Sequence, residues 1–193
     1  MGAIDIMDSL KKDILNERME PSTGVLYVVG TPIGNLGDLS PRATSLLKKV
    51  SCIACEDTRH SGQMLRKVGI KTPLVSFYEH NTKSRLPQLI ELLENQKSLA
   101  LISDAGLPGI SDPGEMLVKA AKNKGHNVIC IPGPCAATTA LVSSGLPSQR
   151  FCFEGFLPLK SKTRKELLRE IAKETRTTIL YEAPHRLIQL LEE

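Results

Sequence analysis

Short unbroken apolar runs alternate along this chain with longer stretches whose apolar side chains recur every three or four positions. VLYVVG (25–30), SCIAC (51–55), PLVSF (73–77), SLALIS (98–103) and NVICI (127–131) form the first set. Runs this short and this apolar read as strands buried on both faces. The intervening stretches predict helices. SPRATSLLKKV (40–50) has Ser40 as N-cap and Pro41 in the first turn. A second helix is expected around SGQMLRKV, and RLPQLIELLEN places Leu86, Leu89, Ile90 and Leu93 on one stripe. DPGEMLVKAAKNKG (112–125) predicts Asp112 as N-cap, Pro113 at the first helical position, Glu115 two residues later and a stop at Gly125.

Strand and helix in alternation imply an open, largely parallel sheet covered on both faces. After PGP the composition changes. A small-residue helix CAATTALVSSG, a strand RFCFEGF, a basic helix, a strand TTILYE and a last helix from Pro184 follow. The fold class expected is therefore α/β in two α/β domains, 24–131 and 132–193, divided near Ile131–Gly133. The second has only two clear strands and stops inside a helix, so it reads as incomplete. Residues 1–23 read as an N-terminal extension, a short amphipathic helix or frayed segment ended by Pro21.

Composition narrows the function classes. No apolar run approaches the length of a membrane span, and the N-terminus lacks the apolar core of a signal peptide. A cytoplasmic protein (or one of an organelle matrix) is expected. Aromatic residues make up 4% of the chain with no Trp, which argues against base stacking as the main binding device. Five unevenly spaced cysteines do not suggest a disulfide framework. Cys52 and Cys55 form a C-x-x-C, but residues three apart on a strand point to opposite faces. No second pair completes a metal set, so these thiols are expected to be structural and no metal site is expected.

Charge is localised. LPLKSKTRKELLREIAKETR (157–176) holds seven cationic and three acidic side chains, an excess equal to the whole net charge of +4. Lys160, Lys162, Arg164 and Lys165 cluster before and at the helix start, where cations oppose the helix dipole. A polyanionic partner explains that placement better than local stability does. A solvated helix face is the plainer alternative.

Ligands of open parallel sheets bind beyond the carboxyl ends of the strands. Four loops at such ends are unusual: VGTPIGNLGDLS (29–40), CEDTRHSG (55–62), LISDAGLPGISDPG (101–114) and IPGPCAAT (131–138). None is a G-x-G-x-x-G fingerprint or a P-loop. Gly and Pro punctuate any loop, yet four such loops at one edge point to a ligand cleft.

GTPIGNLGDLSPRA, CEDTRHSG, SDAGLPGISDPG, PGPCAATTAL and RFCFEGFLP, in this order from about Gly24 onward, resemble the tetrapyrrole-methylase superfamily, with its class III S-adenosylmethionine methyltransferase fold. More narrowly, they are similar to its bacterial branch that methylates a cytidine ribose 2′-hydroxyl in RNA of the small ribosomal subunit. Members usually continue well beyond the length of this chain. The resemblance implies S-adenosyl-L-methionine between two α/β domains, and a homodimer. It places Pro32, Ser103, Asp104, Ala105 and Gly106 at the cofactor, with Pro132, Gly133 and Pro134 opposite. Asp104 has an ordinary alternative as the acceptor of an Asx-turn.

A ribose hydroxyl is a weak nucleophile, so a base or polarising group is expected. The sequence does not single one out. Asp57, Arg59 and His60 in EDTRH, and Glu79, His80 and Asn81 in YEHN, are the candidates, and each histidine could equally be an exposed loop residue. Arg59, Lys160, Lys162, Arg164, Lys165 and Arg186 are the candidate contacts to RNA phosphates. Two other readings stand beside the RNA methyltransferase. One is a methylase of tetrapyrrole precursors, which would need a broad apolar cleft. The other is a non-catalytic fragment that binds RNA or cofactor.

Overall fold

The structure, a computed structural model, describes residues 20–193. The amphipathic helix expected at the N-terminus lies almost wholly outside the described residues. The five apolar runs form β1 (Leu26–Val29), β2 (Cys52–Cys55), β3 (Leu74–Ser76), β4 (Leu99–Leu101) and β5 (Val128–Ile131). All neighbours are parallel, in the order β3-β2-β4-β1-β5, with Leu26 in register with Leu99 and Val128. The helices between them are α1 (Pro41–Leu47), α2 (Thr58–Lys67), α3 (Thr82–Glu94) and α4 (Gly114–Asn123).

Strand parity divides the interior into two cores. Tyr27, Val29, Ile53, Cys55 and Ala100 pack with Leu46 and Leu47 of α1 and Leu65 of α2. Leu26, Val28, Cys52, Ala54, Leu99 and Leu101 pack on the opposite face with Leu89, Ile90 and Leu93 of α3 and Leu117 of α4. Chains that leave β1 and β2 move toward β3, and those that leave β3 and β4 move toward β5. Right-handed crossovers then put the first two helices on one face and the next two on the other.

Cys52 and Cys55 accordingly face different cores, as strand parity requires. Burial pushes the Cys55 thiol up to about 11, so little thiolate exists near neutrality. A thiol reagent applied to the folded protein at pH 8 is expected to leave both unmodified, and to label them after unfolding. Labelling of Cys55 in the folded state, read by peptide mass spectrometry, would contradict its burial.

Most predicted ends hold. The Ser40 side chain accepts the Ala43 amide at 3.0 Å, and Leu86 is only partly buried beside the buried Leu89, Ile90 and Leu93. Asp112 is a correction: α4 starts at Gly114, with Pro113 in the cap position. The Asp112 carboxylate closes the preceding loop, accepting the amides of Gly109 at 2.6 Å and Gly114 at 2.8 Å. The segment from Pro184 also differs, because Pro184–Arg186 forms a 3-10 turn before the helix begins at Leu187.

The remaining residues form a second, smaller layer. β6 (Phe151–Phe156) and β7 (Thr177–Tyr181) pair in parallel, with an irregularity between Phe153 and Gly155. α5 (Ala136–Ser144), α6 (Ser161–Ile171) and α7 (Leu187–Glu192) accompany them. Their buried cluster is Ala137, Leu141 and Ile179, with Cys135 and Tyr181 at its margin. Among the described residues no helix is long and apolar enough to cross a membrane.

Candidate cofactor cleft at the carboxyl edge of the sheet

Because β4, β1 and β5 are adjacent, the loops that follow them emerge side by side. Thr31, fully buried, stitches the first to the third. Its amide donates to the Gly106 carbonyl at 2.8 Å, and the Gly106 amide donates back to the Thr31 carbonyl at 3.1 Å. The Thr31 hydroxyl lies 3.1 Å from the Ser103 carbonyl and 3.2 Å from that of Gly106. The Ser103 hydroxyl turns inward too, 3.2 Å from the carbonyls of Ala105 and Gly106.

The fourth loop meets the first through bare backbone. A Cβ on Gly30 would lie 2.7 Å from the Gly133 Cα, and one on Gly133 would lie 2.8 Å from the Gly30 Cα. Gly106 has φ +87°, and a Cβ there would lie 3.5 Å from the Pro134 carbonyl. The structure therefore gathers Ser103–Gly106 and Pro132–Pro134 around the end of β1. Pro32 is buried there, while Ala105, Pro132 and Gly133 are exposed.

The loop after β2 closes the other side. Ser61 Oγ donates to Asp104 Oδ1 at 3.4 Å. Glu56 is half-buried, and its carboxyl is pushed up by burial first and then by the carboxylates of Asp112 and Asp104. None of these three carboxylates has an ion-pair partner among the described residues. Nor does any group of three His, Cys, Asp or Glu side chains there form a metal-holding set.

Asp57 has a local task. As N-cap of α2 it accepts the amides of Arg59 at 2.7 Å and His60 at 3.4 Å, and these donors hold its carboxyl below the usual range. That makes it a poor proton acceptor near neutrality. Arg59 is 89% exposed on its side chain, and His60 is exposed beside it. Glu79, His80 and Asn81 occupy a 3-10 turn after β3, the outermost strand. Asn81 accepts the Tyr78 amide at 2.9 Å and donates to the Ser76 carbonyl at 3.0 Å. His80 packs edge-on to Tyr78. β2 separates this group from β4, so the structure does not bring it to the Ser103–Gly106 turn.

The second layer approaches through the long third loop. Ser111, at φ +63°, lies against β6, where a Cβ on Gly155 would be 2.8 Å from Ser111 Oγ. Tyr181 Oη accepts the Ala137 amide at 3.1 Å, tying the end of β7 to the start of α5. The third loop is long because it both forms the turn at β4 and reaches β6.

Arg164 corrects the reading of the basic segment as a row of exposed cations. It is 6% exposed and donates to Glu193 at 2.5 Å and to Glu182 at 3.3 Å. The helical repeat explains why: Arg164 precedes the half-buried Leu167 and Leu168 on the inward stripe of α6. Lys160, Lys162 and Lys165 are exposed. Arg186 binds Glu182 Oε1 through Nε at 2.9 Å and Nη2 at 2.8 Å, and stays about one-third exposed.

Sequence reasoning missed Thr31, Glu56, Ser111 and Glu182. Glu56 carried a usable signal, since an acid directly after a buried strand sits at the carboxyl edge. The other three depend on contacts between distant segments.

Comparison with known proteins bears on the family and the fold. The family model described as Tetrapyrrole (Corrin/Porphyrin) Methylases matches residues 25–193. Curated relatives called "Ribosomal RNA small subunit methyltransferase I" include one from Haemophilus influenzae, 51% identical over 91% of this chain and 62% of the relative. Those from Synechocystis sp. and Escherichia coli O157:H7 are 52% and 48% identical, over 88% and 92% of this chain. The chain thus spans about 62% of the length of these relatives. Among solved structures, diphthine synthase superposes with TM-score 0.65 at 16% identity, over 83% of this chain and 64% of that one. Uroporphyrin-III-C-methyltransferase from Thermus thermophilus gives 0.55 at 23% identity, over 76% and 74%. Both likenesses speak for the α/β fold alone. With the loop motifs, the parallel sheet and the family match in agreement, the chain belongs to the tetrapyrrole (corrin/porphyrin) methylase family.

Proposed function

We propose that this chain is the cofactor-binding part of an S-adenosylmethionine-dependent methyltransferase that acts on a ribose 2′-hydroxyl of a cytidine in small-subunit ribosomal RNA. The observation that carries the reading is the interlocking of the loops after β1, β4 and β5 around Thr31 and the Gly30–Gly133 approach. Identity of about 50% to relatives named for small-subunit ribosomal RNA supports the substrate class. The reading divides the chain near Ile131–Gly133 into two α/β units, and expects a cytoplasmic homodimer.

The residues suit the cofactor. The bare backbone at Gly30 and Gly133 lets the loops after β1 and β5 meet beside the Ser103–Gly106 turn, and the carboxylates Glu56, Asp104 and Asp112, which have no ion-pair partner among the described residues, favour a cation nearby. Ser103, Asp104, Ala105 and Gly106 would hold it on one side, with Pro32, Pro132, Gly133 and Pro134 on the other. When bound, the cofactor supplies an activated sulfonium methyl group. The protein's part is to align the two reactants and exclude water. Glu56, with its raised range, suits the acceptance of the hydroxyl proton better than Asp57 does.

Labelled cofactor incubated with unmodified small subunits, followed by mapping of the labelled nucleotide, tests the whole reading. Label on a cytidine ribose supports it, and label on a base overturns the proposed position. Cofactor binding without transfer would favour a non-catalytic fragment. A second reading, methylation of a tetrapyrrole precursor, is favoured by an apolar groove of about 760 Å3 beside β7, lined by Phe156, Leu168, Ile179 and Tyr181 among others. Label transferred to such a precursor instead of RNA would establish it.

Two further outcomes follow from this reading. Asp104→Ala is expected to weaken binding of S-adenosylhomocysteine at least tenfold, about 1.4 kcal/mol, as read by titration calorimetry. An unchanged affinity in a folded variant removes Asp104 from the site. Replacing Lys160, Lys162 and Lys165 with Gln is expected to weaken RNA binding and flatten its salt dependence. The slope should fall by up to about 0.7 log unit for each single-strand phosphate that a lysine no longer neutralises. An unchanged slope makes the segment a solvated surface only.

A further inference from the structure

Thr31 lies where the loops after β1 and β4 meet, and it is fully buried. Ser103, whose carbonyl it meets, is only 4% exposed. Among the described residues the Thr31 hydroxyl is the donor this carbonyl finds. The Gly106 carbonyl accepts the Thr31 amide at 2.8 Å, and the single protons of the Thr31 and Ser103 hydroxyls, each shared with a second carbonyl, are also within reach of it. The two carbonyls therefore respond differently to loss of the Thr31 hydroxyl. Gly106 keeps the Thr31 amide, whereas the Ser103 carbonyl loses its donor in a residue only 4% exposed, a state that folded chains avoid by rearranging.

We propose that Thr31 is a positioning residue, whose hydroxyl holds the Ser103–Gly106 turn in its ligand-receiving shape through the Ser103 carbonyl. The proposal deepens the cofactor reading above and rests on it for the identity of the ligand. Backbone pairing between Thr31 and Gly106 sets the distance between the two loops. The hydroxyl sets the rotation of the peptide that leads into Asp104. Without it, the Ser103 carbonyl turns toward water, and the Asp104 side chain moves off its bond to Ser61.

Thr31→Val keeps the side-chain shape and removes the hydroxyl, while Thr31→Ser keeps the hydroxyl and removes a methyl group. Two measurements on the 193-residue chain separate the roles. Amide hydrogen exchange without ligand is expected to speed up at least tenfold across Ser103–Gly106 in Thr31→Val, relative to the β1 amides, and to stay near the wild-type rate in Thr31→Ser. Calorimetric affinity for S-adenosylhomocysteine is expected to fall at least tenfold in Thr31→Val, about 1.4 kcal/mol, with recovery in Thr31→Ser. A general structural defect would instead speed exchange in both variants and throughout the sheet. Wild-type exchange in Thr31→Val overturns the positioning role, as does equal loss in the two variants. If the wild-type chain itself binds no S-adenosylhomocysteine, the cofactor reading fails, and the exchange measurement still decides whether Thr31 holds the turn.

Discussion

Gly30→Ala is expected to lower affinity for S-adenosylhomocysteine at least a hundredfold, about 2.8 kcal/mol. The added Cβ would sit 2.7 Å from the Gly133 Cα, 3.0 Å from its nitrogen and 3.2 Å from its carbonyl carbon. All three are backbone atoms, so no change of rotamer relieves the clash. Nor can the loops separate freely. Val29 is in register with Ile131, and the Gly30 amide donates to the Ile131 carbonyl at 3.3 Å. The strain must open the end of the β1–β5 ladder, which displaces the fourth loop from the third. Overpacking of this kind costs about 1–3 kcal/mol in stability, equivalent to a Tm lower by roughly 2–12 °C for a chain of this size. Calorimetric titration and thermal unfolding together read both effects. Wild-type affinity in the alanine variant would show that the approach of the two loops is unrelated to the ligand.

Arg164→Met is expected to lower Tm by roughly 5–10 °C. Methionine replaces the aliphatic stem but leaves Glu182, 3% exposed on its side chain, without one of its two guanidinium partners. Glu193 loses its partner as well. Glu182 is held below the usual carboxylate range, first by the Ala183 amide and then by Arg186 and Arg164. Glu193 is held low chiefly by Arg164. A depressed carboxyl contributes stability that is present above its unfolded pKa of about 4.3 and lost as pH falls through the folded value. The wild type should therefore lose Tm on acidification through this window, and Arg164→Met should lose less. A variant whose Tm matches the wild type at pH 7 would make the Arg164 pairs unimportant. Its RNA salt slope is expected to stay unchanged, in contrast to the lysine variant.

The difference between Arg164 and its neighbouring lysines shows where sequence reading stops. All four cations look alike in a charge count, and only Arg164 shares the inward stripe of α6 with Leu167 and Leu168. The carboxylates that neutralise it come from residues 182 and 193, too far along the chain for a local pattern to reveal. EDTRH and YEHN are similarly indistinguishable as polar groups at strand ends. Sheet order separates them, because β2 adjoins β4 whereas β3 lies one strand further out.

By itself, the sequence determined the elements and the edge. Apolar runs too short for helices and flanked by Gly and Pro have few alternatives to buried parallel strands. Parity on those strands is enough to place Cys52 and Cys55 in different cores. The loop motifs carried the family, and the parallel sheet put all four loops at its carboxyl edge. Only the tertiary structure decided which of them touch. Thr31 meets Ser103 across 72 positions, Ser61 meets Asp104 across 43, and Gly30 meets Gly133 only because β1 and β5 are neighbours. Local propensity acts over a few residues through backbone sterics and nearby hydrogen bonds. Which distant segments meet is set by strand order and by the packing of two cores at once, and neither is written in any short stretch of the chain.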